Sequence, residues 1–255
     1  MTRDVSAELL VLRKRAATWI LLGIWTLLGI FFAYVIPYAL DPEDSPVGVE
    51  EVLPQSLAGN LIEGFPFFGG VFALMLGVFA FGSEYGWSTL TTLFTQRPGR
   101  LRVFAAGAVA SYVIAQIEGV PADWPSAWLL VRAMAAGWLI LAVWAALGVL
   151  LGVVTRGTSL AIGVGILYAL VIEGLLSAFA DSVSLLEPLT GVFLRSNGYS
   201  IATTLGASVE SIESSGPGSY AGPFVASGQA LAVLVAFIIG FAAVSGFLLR
   251  RRDVT

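Results

Sequence analysis

Residues 127–154 read AWLLVRAMAAGWLILAVWAALGVLLGVV, with one charged residue, Arg132. At 1.5 Å per residue a helix of this length crosses the ~30 Å hydrocarbon layer of a bilayer. The rest of the 255-residue chain fits that reading: 57% of it is hydrophobic, 12% is charged and its mean hydropathy is +0.88. A water-soluble domain carries roughly 25% charged residues. Half that charge cannot cover a soluble globule of this size, so the composition indicates an all-α, polytopic membrane protein forming one transmembrane domain over residues 1–255.

Working outward, five more apolar runs are expected to span: Ala16 to Tyr38, Leu61 to Ser83, Leu101 to Glu118, Ser159 to Ala180 and Gln229 to Leu249. The first is too long for the roughly 7–15-residue core of a signal peptide. The second starts at Gly64-Phe65-Pro66-Phe67-Phe68-Gly69-Gly70, which predicts a kink or partial unwinding. The apolar part of the third, Val103 to Ile117, makes only ~22 Å of helix and is short for a crossing.

With six crossings, 11 of the 13 basic residues fall on one side: Arg3, Arg13, Lys14, Arg15, Arg97, Arg100, Arg102, Arg156, Arg250, Arg251 and Arg252. The other side collects eleven acids, among them Asp41, Glu50, Glu118, Asp123, Glu187, Glu210 and Glu213, against one base, Arg195. The positive-inside rule then places both termini in the cytoplasm and the chain in the cell (inner or plasma) membrane. The acidic balance belongs to the outer face and points to no nucleic-acid partner.

The chain has no Cys and no His. That removes Cys nucleophiles, Ser-His-Asp arrangements and haem or zinc-cluster ligation. The single Lys, Lys14, lies in no Gly-rich phosphate loop. No metal or other cofactor is expected in this chain, no catalytic residue is assigned, and energy must come from an ion gradient or another chain.

Two segments on the basic side stand out. Residues 4–15 mix Val5, Leu9, Leu10 and Leu12 with Glu8, Arg13, Lys14 and Arg15, as in a short interfacial helix that Ser6 could cap. Residues 84–97 place Trp87, Leu90, Leu93 and Phe94 at helical spacing, and Arg97-Pro98-Gly99-Arg100 stops that helix. A cytoplasmic helix with such a stripe wants a groove in its own bundle or in a partner.

This second segment resembles the cytoplasmic coupling helix of type-2 ABC exporter permeases. The resemblance rests on Glu84, Gly86, Thr89-Leu90, Leu93, Arg97, Pro98 and Arg100. Further matches are Leu147 to Arg156, closing the fourth span, and Leu249-Arg250-Arg251-Arg252-Asp253. The order of features fits over nearly the full length. The departure is the third span, where Arg102-Val103-Phe104-Ala105-Ala106 runs directly into Gly107 to Tyr112, as if about 20 residues were missing relative to the family's permeases. The resemblance implies a permease subunit that pairs with a second permease subunit, homo- or heterodimeric, and recruits separate ABC ATPase subunits. ATP and Mg would be bound by those partners. Glu84, Tyr85, Trp87, Leu90, Leu93, Arg97 and Arg100 would seat the coupling helix on the ATPase. The first, second and fifth spans would line the path between subunits, and short re-entrant helices would form an outer gate within Asp181 to Ser227.

Glu173 is the one acid deep within an expected span. Such a group is a functional-site hypothesis by default, here with two forms: proton coupling in a secondary transporter, or hydrogen-bonded packing. The shortened third span keeps open a third class, a non-transporting scaffold or immunity-type subunit. Gly148 with Gly152, and Ala242 with Gly246, form small-xxx-small steps that let helices approach closely. Glu210 to Gly222, rich in Ser, Gly and Pro, reads as a flexible surface loop.

Overall fold

The structure, a computed structural model, describes residues 16–31, 35, 52–81, 108–109, 111–180, 187–214, 220 and 222–252. Among these, every regular element is helical. Four helices are long and apolar enough to cross a membrane: Pro54–Phe79, Ala127–Thr155, Thr158–Ser177 and Ser227–Arg251. The chain is therefore a helical integral membrane protein. Of the expected first span, helix α1 covers Ala16–Ile30.

The second long helix opens with a 3-10 turn at Pro54–Ser56 and continues as α2, Leu57–Glu63, so it begins at Pro54 rather than at Leu61. Pro54 suits a first helical turn, where its missing N–H has no intrahelical partner to lose. The expected irregularity at Gly64–Gly70 is a π-turn, Phe65–Gly69, with the Gly69 N–H donating to the Gly64 carbonyl at 2.9 Å. Pro66 cannot donate, and its ring displaces the carbonyl of the preceding turn. A five-residue π-turn absorbs that conflict without breaking the helix. It continues as α3, Gly70–Phe81.

Of the expected third span, residues 111–118 form helix α4, which ends at Gly119 in the left-handed region (φ 67°). Residues 101–107, which decide whether this helix is of ordinary length, lie outside the described residues.

Helix α5, Ala127–Thr155, is the axle of the fold. The Ser126 hydroxyl caps it by accepting from the Leu129 N–H at 3.2 Å. At its other end Arg156 takes a left-handed conformation (φ 55°) and donates its N–H to the Gly152 carbonyl at 3.1 Å. One further residue, Gly157, leads into α6, Thr158–Leu167. A second π-turn, Tyr168–Ile172, carries α6 into α7, Glu173–Ala180.

Three short helices follow: α8 (Glu187–Thr190), α9 (Leu194–Thr204) and α10 (Val209–Ser214). The chain closes with α11, Ser227–Arg252. α5 packs against α3, α11, α6 and α2, and α9 packs against α11, α5, α2 and the Phe65–Gly69 turn.

The core is centred on Leu74, Val78, Ile140, Val143, Trp144 and Leu234. α3 and α5 meet backbone to backbone. A Cβ on Gly148 would collide with the Leu74 carbonyl, and one on Gly77 with the Ala145 carbonyl. Gly152 is also buried on α5. On α11 the picture differs: nothing lies within 4 Å of a Cβ built on Gly246, and Ala242 is half-buried.

One expectation is corrected. The described part of Glu210 to Gly222 is no surface loop. Ile212 and Tyr220 are almost wholly buried, and the Tyr220 N–H donates to the Ile212 carbonyl at 3.0 Å. The local Ser/Gly/Pro composition signalled turns, but Ile212 is buried and Tyr220 stacks on Tyr199 of α9. Arg195, counted on the acidic side of the membrane, is 2% exposed. It lies in the first turn of α9, inside the bundle.

Candidate functional site

Glu173 and Arg195 form the centre of a buried polar cluster. Glu173 is the first residue after the Tyr168–Ile172 turn, and it is fully buried. Its Oε1 accepts from the Tyr168 hydroxyl at 2.5 Å and from the Leu194 N–H at 2.6 Å. Its Oε2 accepts from the Arg195 N–H at 3.0 Å. Leu194 and Arg195 open α9, whose own preceding residue, Phe193, offers no side-chain cap. The first N–H groups of a helix have no intrahelical acceptor, and the helix dipole favours a negative charge there. The Glu173 carboxylate meets both needs from a different helix.

The Arg195 side chain closes the arrangement. Its Nη1 donates to the Ala169 carbonyl at 3.3 Å, inside the Tyr168–Ile172 turn. Its guanidinium lies 4.6 Å from the Phe67 ring centroid and 5.9 Å from that of Tyr199. Phe67 belongs to the other π-turn. One guanidinium therefore touches both irregular turns, and a desolvated cation over an aromatic face gains about 2 kcal/mol. Burial pushes the Tyr199 hydroxyl up to about 12, with the nearby Arg195 charge opposing the shift, so the phenol stays protonated at neutral pH.

Most other polar groups of α9 bond locally or to residues that follow, whereas the buried Asn197 Oδ1 has no hydrogen-bond partner among the described residues. The Asn197 Nδ2 donates to the Phe193 carbonyl at 2.7 Å. The Ser200 hydroxyl donates to the Ser196 carbonyl at 2.7 Å and accepts from the Val225 N–H at 2.9 Å. Tyr199 stacks on Tyr220 at 5.4 Å. The Ser211 hydroxyl of α10 donates to the Glu63 carboxylate of α2. Helix α9 ends at Gly206 (φ 99°), with the Ala207 N–H bonded to the Ala202 carbonyl at 3.1 Å. That left-handed position favours glycine. Gly59 on α2 lies against the same turn, where a Cβ would strike the Gly206 carbonyl.

The sequence singled out Glu173 but not its partners. Tyr168, five residues before it, was reachable from the sequence as a polar aromatic in the same apolar run. Arg195 was placed only by membrane side, and a lone base among acids gives no sign of burial. Glu84, Tyr85, Trp87, Leu90, Leu93, Arg97 and Arg100, expected to meet an ATPase, lie outside the described residues, as does the interfacial helix at 4–15. Among the described residues no group of three or more Asp, Glu, His or Cys is placed to hold a metal ion. Comparison with protein-family models, with curated proteins and with solved structures finds no match to this chain.

Proposed function

We propose that the chain is the membrane-spanning permease subunit of an ATP-driven ABC exporter, with six crossings, both termini cytoplasmic and ATP hydrolysis in a separate subunit. The observation that carries this reading is the short-helix segment α8–α10. It stands between the fifth expected span and the last, and it folds back onto the irregular turn of the second. A helical cap in that place, over helices with π-turns at Phe65–Gly69 and Tyr168–Ile172, suits an outer gate above a path that opens when the spans tilt. The coupling-helix resemblance at 84–97 supplies the point where an ATPase would push.

The exposed apolar faces fit the same reading. Leu160, Leu167, Leu175 and Phe179 on α6 and α7 are each more than half exposed, as are Ile20 and Leu27 on α1. In a permease these faces meet lipid and a second permease subunit.

The test is co-purification of the chain with its neighbouring gene products. An ATPase is expected to co-elute, and Trp87→Ala with Leu90→Ala is expected to release it. If no ATPase binds and the double substitution changes nothing in cells, the proposal fails. The ion-coupled alternative depends on Glu173 exchanging a proton, and pH-dependent transport that survives Glu173→Gln removes it.

A further inference from the structure

Tyr168 and Glu173 are clasped twice across the π-turn between them. The Glu173 N–H donates to the Tyr168 carbonyl, and the Tyr168 hydroxyl donates to the Glu173 carboxylate at 2.5 Å. This pairing depends on the turn. At 3.6 residues per turn, positions five apart in an α-helix point about 140° away from each other. If the extra residue of the π-turn moves along the helix, Glu173 rotates by about 100°. That rotation withdraws its carboxylate from the N–H groups of Leu194 and Arg195.

α9 also meets the other π-turn. A Cβ on Gly198 would lie 3.0 Å from the Pro66 Cβ, so the helix sits directly on the Phe65–Gly69 turn. Arg195 bridges the two turns through Ala169 and Phe67. The first two amides of α9 are thus held by one carboxylate, whose position is set by one π-turn.

We infer that Tyr168, the π-turn and Glu173 form a mechanical latch on α9. With the turn in π form the carboxylate holds the first two amides of α9. When the extra residue migrates, the carboxylate swings out and α9 is freed from α7. Glu173 is a positioning residue here, acting on the cap rather than on cargo. The inference deepens the outer-gate reading of α8–α10 and rests on it for its purpose: latch release is the step that lets the cap lift.

The test is backbone hydrogen exchange on the full chain in lipid nanodiscs, with no ATPase and no substrate. Replacing a charge-assisted acceptor by a neutral one removes about 1.5–3 kcal/mol, which at a factor of ten per 1.4 kcal/mol is an increase of roughly 10- to 100-fold. Glu173→Gln is expected to speed exchange over Leu194–Ser200 by that factor while α5 exchanges as before. Deleting Val171, which is 42% exposed, turns the π-turn into an α-turn. Tyr168 and the carboxylate then stand four apart on one face, so the latch stays fastened with its release route removed. Exchange over α9 is expected to fall below wild type. Unchanged exchange over α9 in Glu173→Gln, an equal rise in α5, or a deletion that loosens α9 overturns the inference. Should Glu173→Gln not accumulate as folded protein, Tyr168→Phe serves instead. It is expected to raise α9 exchange about 2- to 10-fold, the loss of one hydrogen bond, and no rise overturns the inference. Failure to bind an ATPase would sink the exporter reading and leave these exchange rates untouched.

Discussion

Residues 194–202 of α9 are all buried although five of the nine carry polar side chains, Arg195, Ser196, Asn197, Tyr199 and Ser200. Helix α11 is the reverse. Its stretch Ser227–Arg251 is long and apolar enough to cross a membrane, yet only 11% of its most apolar window is buried. Leu231, Ile239 and Phe247 are each more than half exposed. In water this distribution would be upside down. In lipid it is consistent, because hydrocarbon accepts the apolar face of α11 at no cost while unsatisfied polar groups must find partners inside the protein. Most polar groups of α9 find such partners in Glu173, in its own carbonyls and in Pro223 and Val225. The difference teaches that a buried helix in this fold can be polar while a lipid-facing one is apolar, so polarity alone does not mark the surface.

The sharpest way to break that comparison is to remove the buried guanidinium. Arg195→Leu loses its bond to the Ala169 carbonyl and its cation–π contact with Phe67, and is expected to cost about 3–5 kcal/mol. Reversible denaturation in mixed micelles would read the loss, and a cost under 1 kcal/mol would show that α9 is held by packing alone. Next in size is Gly148→Val, which places new atoms against the Leu74 carbonyl. Overpacking of this kind costs about 1–3 kcal/mol, seen as a lowered midpoint in the same assay, whereas Gly246→Val on α11 should leave the midpoint in place. Tyr220→Phe removes the hydroxyl that donates to the Pro223 carbonyl at 2.9 Å. An effect of about 1 kcal/mol is expected. The smallest effect belongs to the outer face of α11: Ile239→Ala should stay within about 0.5 kcal/mol. A larger loss there would mean that α11 is covered by another polypeptide, and cross-linking from position 239 would identify it.

The four long helices were readable because an apolar run of sufficient length has one solution in a bilayer. Glu173 was readable because an acid inside such a run stands out without knowledge of what it meets. The partner of Glu173 was not, since the amide of Arg195 lies 22 residues away along the chain. The stretch LRSNGYSIATT carries no apolar stripe that would announce a buried helix. Its helical form rests on a cap from α7 and a stop at Gly206. Likewise, the Gly148 step could be seen as a repeat of small residues. The contacts of Gly59 with the Gly206 turn and of Gly77 with Ala145 could not, because each depends on a backbone from elsewhere in the sequence.

The two-residue junction Arg156–Gly157 constrains how this protein is made. It joins a 29-residue helix to one of 20 residues with no slack. α5 and α6 therefore cannot be threaded into a bilayer one at a time, with the second waiting at a distance. A junction this short favours their entry as one hairpin, with both helices crossing together. Any error of orientation during biogenesis flips both together, and a reporter tag spliced into this tip would test insertion of the pair rather than of either helix.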